Sequence, residues 1–247
     1  MENVPEYRAL LAVDIARSAG RGDVALRRIR AALWAALREA FTRSGIDREA
    51  CLYQDLGDGV RVAMPAGTPK ASLIHPLAHE LSVRLAAHNR LAGPPVQVRV
   101  RMALHAGDVH IGPDGTVTGR PLEVLARLLD AAPARDALAV RPQATAALII
   151  SQHFHEEVVC QGRPGIDPDS FRQVGVREKE FTASAWLHVP GAVTPRAAPG
   201  EEEAGPAAQD RTARPESRGA PKMISEASGH GVIYAVQNGT MHITDRT

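Results

Sequence analysis

The sequence predicts an α+β fold in which helices cover an antiparallel-dominated sheet. Three observations carry that expectation. Apolar residues recur at helical spacing in some segments and as short or alternating runs in others. The elements follow the order strand, helix, hairpin, helix, strand, helix rather than a strict strand–helix alternation, the pattern of helices layered on an antiparallel sheet. The periodic patterning also stops abruptly near residue 190, so the folded part occupies residues 1–190.

The first run, YRALLAVDI (Tyr7–Ile15), reads as a buried strand. From Asp23 to about Ser44, one stripe holds Ala25, Ile29, Ala32, Leu33, Ala36, Leu37, Ala40 and Phe41, with arginines opposite. Asp23 suits the N-cap of that helix and Gly45 its stop. Ala50–Tyr53 and Val60–Met64 read as strands around Leu56-Gly57-Asp58-Gly59, where Gly and Asp supply the positive φ of a tight turn. Lys70–Leu91 predicts a second amphipathic helix, with Pro76 near its start or kinking it. Val96–Ala106 alternates like a half-exposed strand, and His110–Thr118 like a short hairpin turning at Pro113-Asp114-Gly115. Leu122–Ala132 predicts a helix, Ala139–Val159 further strands and short helices, and Phe171–Val189 a final hairpin.

Composition narrows the function classes. The 247 residues carry 29 basic and 28 acidic side chains, a formal net charge of +1, so neither nucleic acid nor an anionic membrane surface is an expected partner. Aromatic residues are 4%, too few for a base-stacking RNA module. No apolar run approaches the roughly 18 residues of a membrane span, and the N-terminus lacks the basic n-region of a signal peptide. Cys51 and Cys160 form neither a CxxC pair nor a disulfide framework, which predicts a cytoplasmic protein.

Two aspartates are placed for chemistry. Asp14 ends the first strand and Asp58 tips the neighbouring hairpin. Carboxylates at strand ends are held by a rigid scaffold yet open to a ligand. Two together suit Mg²⁺, which takes oxygen ligands and shares phosphate oxygens. Behind Asp14, the small-residue segment Ala16-Arg17-Ser18-Ala19-Gly20 offers backbone N–H groups to phosphate. On the residues alone, Asp14 also reads as a cap before the helix and Asp58 as an ordinary turn residue. His105 and His110 flank Asp108, and His153 and His155 lie two apart, but neither set has zinc-finger spacing. No Walker A, GxSxG or Rossmann fingerprint occurs.

Five segments in register resemble one family. LAVDIARSA and QDLGDGVRVAMP resemble the two metal-aspartate motifs of class III nucleotidyl (adenylate/guanylate) cyclase catalytic domains. VRMALHAGDVHIG resembles that family's R-x-G-[IL]-H-x-G-x-V strand, and GRPLEVLARLLDAA its G-x-x-V-N-x-A-x-R-L helix. GVREKEFTASAWLHV resembles its terminal hairpin, so the resemblance covers roughly residues 7–189. It implies a ferredoxin-like fold and the conversion of a nucleoside triphosphate to a 3′,5′-cyclic nucleotide and pyrophosphate. It implies Asp14 and Asp58 as ligands of two Mg²⁺ (or Mn²⁺) ions per site. Arg127 falls on the transition-state arginine, Lys179 on a lysine of the terminal phosphates, Arg17 and Ser18 on the phosphate loop, and Gln54 and Thr116 on the purine-reading pair. A Gln–Thr pair matches neither the adenylyl nor the guanylyl pattern, so the base stays open.

The resemblance also implies a homodimer, in which Asp14 and Asp58 of one subunit meet Gln54, Thr116, Glu123, Arg127 and Lys179 of the other. Three departures bear on activity. Glu123 stands where the family has a catalytic Asn. Arg17-Ser18 replaces Gly-Phe, and the segment His110–Thr118 is short. A carboxylate about 4 Å from a phosphate charge costs about 4 kcal/mol at an effective dielectric near 20. An alternative is therefore a catalytically weak or inactive cyclase-fold signalling module that assembles through its C-terminus.

Residues 191–229 are rich in Pro, Ala, Gly, Glu and Arg with no aromatic side chain, and predict a disordered linker. Residues 230–247 turn apolar again. GVIYAVQNGTMHITD reads as a hairpin about Asn238-Gly239 that docks on a sheet edge of its own or a partner chain, stacks on copies of itself, or merely finishes a sheet. It loosely resembles the short C-terminal amyloid signalling motifs of bacterial sensors and effectors.

Overall fold

A computed structural model describes residues 4–178 and 180–191. The predicted linker beyond Gly191, the C-terminal segment 230–247 and Lys179 lie outside the described residues.

Strand β1 (Glu6–Ile15) is central because its Leu10–Val13 run is apolar on both faces. It pairs antiparallel with β3 (Gly59–Ala63) on one side and β4 (Val100–Ile111) on the other. Strand β2 (Leu52–Asp55) extends β3 as a hairpin. Beyond β4, β6 (Ala146–Ser151) pairs parallel to it, and β8 (Phe181–His188) and β7 (Arg172–Glu178) complete the order β2-β3-β1-β4-β6-β8-β7. The two-residue strand β5 (Val117–Thr118) folds back on the end of β4.

The helices cover both faces. Leu11, Val13 and Ile15 point to a core shared with α1 (Asp23–Ser44) and α2 (His79–Leu91). Leu10 and Ala12 point to one shared with α3 (Arg120–Leu129) and α4 (Ala132–Val140). This period-two division follows from the pleat. The expected α+β class, an antiparallel-dominated sheet covered by helices, is observed. The sheet is covered on both sides, and its β4–β6 pair is parallel. The short helix α5 (Gln152–Val158) begins directly at Ser151, whose hydroxyl accepts from Phe154 N at 3.1 Å as an N-cap.

Local expectations fared unevenly. The α1 stripe is buried as expected, and Gly45 ends the helix in the left-handed region at φ 66°. Asp23, however, is the first helical residue rather than the cap. Gly22 takes the cap position, and the Asp23 carboxylate instead sits in the first turn, where the helix dipole favours it. Pro76 breaks the 70–91 segment: His75 has an extended backbone (φ −135°, ψ 117°) between a helical turn and α2. The 122–132 prediction resolves into α3 and α4, parted by Asp130 and Ala131 before Pro133. Strand β4 starts at Val100 and is more buried than a half-exposed strand: Met102, Leu104 and Ala106 face one helix-covered core and Ala103 and Val109 the other, while Arg101 and His105 are partly exposed. No helix among the described residues is long and apolar enough to cross a membrane.

Candidate functional site

The pairing register brings the two aspartates together. Asp14 lies opposite Gly59 on β3 and opposite Arg101 on β4. Ile15 N donates to the Asp58 carbonyl at 3.0 Å, so the β2–β3 turn closes against the end of β1. Two glycines make the turn for different reasons. Gly57 has φ 90°, which side chains avoid. Gly59 is not in the left-handed region; a Cβ there would lie 2.5 Å from the Val13 carbonyl oxygen and 3.2 Å from Asp14 Cα. The expectation of positive φ thus holds for Gly57, while Gly59 is needed for close approach.

Asp14 forms an ion pair with Arg101, and each side chain is only 15% exposed. Burial pushes the Asp14 carboxyl above the usual aspartate range; Arg101 opposes this, and the charges of Asp58 and Asp130 add to it. The ionised carboxylate therefore lacks cationic compensation even with Arg101 beside it. A divalent cation between Asp14 and Asp58 fits that donor set. Among the described residues no group of three or more His, Cys, Asp or Glu side chains is placed to hold a metal ion. A cation here would complete its shell with ligand oxygens.

The linkage sign is set by the raised value. Ionised Asp14 subtracts stability above its folded pKa, and that cost fades as pH falls towards the ordinary value of 3.8. The parent should therefore lose stability between pH 4 and pH 7 through this group, a pH dependence that Asp14→Asn should abolish. Mg²⁺ should raise the melting temperature of the parent and not of the variant. Thermal melts over that pH range, with and without Mg²⁺, check both.

The loop behind Asp14 is bent by Arg17, the one described non-glycine residue with positive φ, at 56°. The resembled motif has glycine at this place, and the conformation is one that glycine adopts freely. An L side chain there costs roughly 1–2 kcal/mol. Arg17→Gly is expected to stabilise the fold by about 1 kcal/mol, raising the melting temperature by roughly 2–4 °C in a thermal melt. Ser18 Oγ donates to Asp58 Oδ2 at 2.5 Å, which orients that carboxylate and commits the hydroxyl away from phosphate.

Gln54 and Thr116 line one cleft of about 170 Å³, together with Tyr53, Arg61, Asp114 and Leu122. That lies below the roughly 300–1,000 Å³ of pockets for whole drug-sized ligands and suits a fragment such as one base. Arg61, opposite Gln54 in the hairpin, donates from Nη1 to Gln54 Oε1 at 3.2 Å, leaving the Gln54 amide N–H₂ to donate. Among the described residues the buried Arg61 Nε has no hydrogen-bond partner, and burial lowers the Arg61 pKa. Thr116 Oγ1 donates to Asp114 Oδ2 at 2.7 Å and Thr116 N to Oδ1 at 3.0 Å; these bonds lower the Asp114 pKa.

Helix α3 buries Leu122, Leu125, Leu128 and Leu129. Its start lies so close to β4 that a Cβ on Gly107 would meet Pro121 Cγ at 2.7 Å. Glu123 is exposed and Arg127 half-buried on the remaining face. Among the described residues no ion pair or side-chain hydrogen bond engages either, and none joins Asp14 or Asp58 to Gln54, Thr116, Glu123 or Arg127. One chain thus presents a carboxylate pair and a small cleft. The sequence did not single out Arg101, Arg61 or Asp114. Arg101 and Arg61 are visible there only as polar positions of alternating strands, and Asp114 only as a turn residue.

The fold is that of adenylate and guanylate cyclase domains. The chain is similar to an adenylate/guanylate cyclase/hydrolase from Silicibacter pomeroyi, at 20% identity and TM-score 0.55, over 76% of this chain and 99% of that one. It is similar to the guanylyl cyclase Cya2 at 13% identity and TM-score 0.53, over 80% of this chain and 100% of that one. It is also similar to the catalytic core of a rhodopsin-guanylyl cyclase of converted specificity, in complex with ATPαS, at 14% identity and TM-score 0.53, over 75% and 96%. No protein-family profile and no curated protein matches the sequence.

Proposed function

We propose that the chain is a nucleotidyl cyclase that converts a nucleoside triphosphate to a 3′,5′-cyclic nucleotide and pyrophosphate as a homodimer. The observation that carries this reading is the Asp14–Asp58 pair, set side by side at the end of β1 by the β1–β3 register on a cyclase fold. In the reaction a bond forms from the ribose 3′-oxygen to the α-phosphorus. The bond from that phosphorus to the bridging oxygen of pyrophosphate breaks, and the hydroxyl proton passes to solvent. Asp14 and Asp58 hold two Mg²⁺ or Mn²⁺ ions, which when bound neutralise triphosphate charge and make the 3′-oxygen easier to deprotonate.

The other residues bind and orient. Gln54 presents its amide N–H₂ to the edge of the base, with Arg61 fixing the side chain and Thr116 and Asp114 forming the opposite wall. Arg127 supplies a guanidinium fork for the charge developing on the α-phosphate, and Arg17 and Lys179 supply cations for the terminal phosphates. Among the described residues no hydrogen bond or ion pair joins Asp14 or Asp58 to Glu123 or Arg127, which is in keeping with completion across a dimer.

Purified protein incubated with each of the four nucleoside triphosphates and Mg²⁺ or Mn²⁺ should yield a cyclic product with at least one. No product under any condition would overturn the reading. The exposed Glu123, without an ion-pair partner among the described residues, favours a second reading, a cyclase-fold signalling module with little turnover. If Glu123 faces the substrate, Glu123→Asn removes a repulsion worth up to about 4 kcal/mol and should raise kcat at least tenfold. Unchanged kcat would mean the carboxylate does not face the substrate.

A further inference from the structure

The sheet has two ends. Strand β2, at one end, has four residues, and the turn at Asp114–Val117 closes a cleft beside its Leu52, Tyr53 and Gln54. Strand β7, at the other, has seven residues, RQVGVRE, and pairs only with β8 among the described residues. Its register runs without a break from Arg172↔Leu187 to Glu178↔Phe181, so no bulge turns it out of the sheet. It holds no proline, and among the described residues its outer edge has no backbone partner. An unbroken, unpaired edge of this length offers a row of N–H and C=O groups to another strand.

The side chains of β7 divide by the pleat. Val174 and Val176 belong to the core shared with α3 and α4. Arg172 and Glu178 fall on that same face by the period of two, and Arg135 of α4 reaches Glu178 Oε1 there at 3.5 Å. Gln173, Gly175 and Arg177 fall on the opposite face. A groove of about 500 Å³ separates β7 from α4, with Asp136, Val140, Arg172 and Val174 in its lining, so α4 does not close over the first half of the strand. Among the described residues no ion pair or side-chain hydrogen bond engages Arg172 or Arg177.

The residue pattern of this edge is its own complement. When two copies pair antiparallel with Gly175 opposite Gly175, Arg172 of each faces Glu178 of the other, Val174 faces Val176, and Gln173 faces Arg177. The whole strand pairs, and both charge pairs join opposite signs. Parallel in-register pairing would instead set Arg172 on Arg172 and Arg177 on Arg177, and like charges directly opposite are destabilising. Gly175 falls on the two-fold axis, where among the described residues a Cβ meets no atom within 4 Å.

We propose that β7 is a homotypic contact edge, pairing antiparallel with β7 of a second copy about Gly175 and joining the two sheets through an Arg172–Glu178 pair at each end. The occupant is a second copy because the order of charged and apolar residues complements itself. None of Asp14, Asp58, Gln54, Thr116, Glu123 and Arg127 lies on β7, so this contact is separate from the dimer proposed for the nucleotide reaction.

Cysteine cross-linking of the full chain tests the edge and its register. A Cys160→Ser background removes the exposed native thiol, and Cys51 is buried. Residues directly opposite in an antiparallel pair have Cα atoms about 4.5–5.5 Å apart, inside the roughly 4.4–6.8 Å that a disulfide spans. Gly175→Cys should therefore give a disulfide-linked dimer under mild oxidation, seen on a non-reducing gel and reversed by reductant. Gln173→Cys alone should not, since its copy lies four residues, about 13 Å, along the strand. Mixing Gln173→Cys with Arg177→Cys should restore the cross-link. Adding Arg172→Glu to Gly175→Cys should slow cross-linking about tenfold, because two attractive pairs become repulsive; a thermal melt shows that the chain stays folded. No cross-link in Gly175→Cys, or equal cross-linking of Gln173→Cys alone, would overturn the proposal and leave the edge to a strand of another protein. An unchanged rate with Arg172→Glu would overturn it as well. The read-out involves no turnover, so its failure leaves the proposed reaction standing, and absence of cyclic product leaves this contact standing.

Discussion

Asp58→Ala should reduce cyclic-nucleotide formation by about 10³-fold or more, since a bound cation supplies several kcal/mol of charge stabilisation and each 1.4 kcal/mol is tenfold. The fold should survive, because among the described residues the Asp58 side chain makes only the hydrogen bond from Ser18, and the turn is held by backbone bonds from Ile15 N to the Asp58 carbonyl and from Leu56 N to the Gly59 carbonyl. Far-ultraviolet circular dichroism and a thermal melt separate that outcome from unfolding. Arg127→Ala should also be inactive, for a different half-site. Mixing the two inactive variants should restore product, because a mixed dimer holds one intact carboxylate pair facing one intact Arg127. A mixture that stays inactive while both variants remain dimeric would sink the shared-site arrangement. Full activity in Asp58→Ala would remove the metal assignment.

Gly59→Ala is expected to cost about 3 kcal/mol, at the upper end for forced overpacking, and to lower the melting temperature by roughly 6–12 °C. The atom in the way is the Val13 carbonyl oxygen, 2.5 Å from the new Cβ, and it belongs to the central strand rather than to a side chain that could rotate aside. The alternative to collision is separation of the hairpin from β1, which would also part Asp58 from Asp14. The variant should therefore lose activity beyond its loss of stability, and lowering the assay temperature should not restore it. Gly175→Ala is an appropriate comparison, because among the described residues a Cβ there meets no atom within 4 Å.

The two aspartates were legible in the sequence because each is marked locally. Asp14 closes an apolar run, and Asp58 sits between two glycines in a turn. The α1 stripe and the Gly45 stop were legible for the same reason, since helical spacing and a left-handed terminus are short-range properties. The pairing of Asp14 with Arg101 was not, because 87 residues separate them and only the β1–β4 register sets them opposite. Arg61 and Asp114 were hidden likewise. Each looks like a solvated polar residue until the β2–β3 hairpin and the β4–β5 turn close one cleft. Arg17 shows the converse. It was noted as a departure from a glycine-bearing motif, but the backbone angle that makes glycine natural there appears only in the folded chain.

By itself the sequence determined the α+β class, the order of most elements, and the two carboxylates at strand and turn. These follow from periodicity, turn chemistry and composition, which act over a few residues. Tertiary structure alone decided that helices cover both faces, that β6 runs parallel to β4, and that Arg101 stands opposite Asp14. Strand register arises between segments far apart in the chain, and no local pattern encodes it.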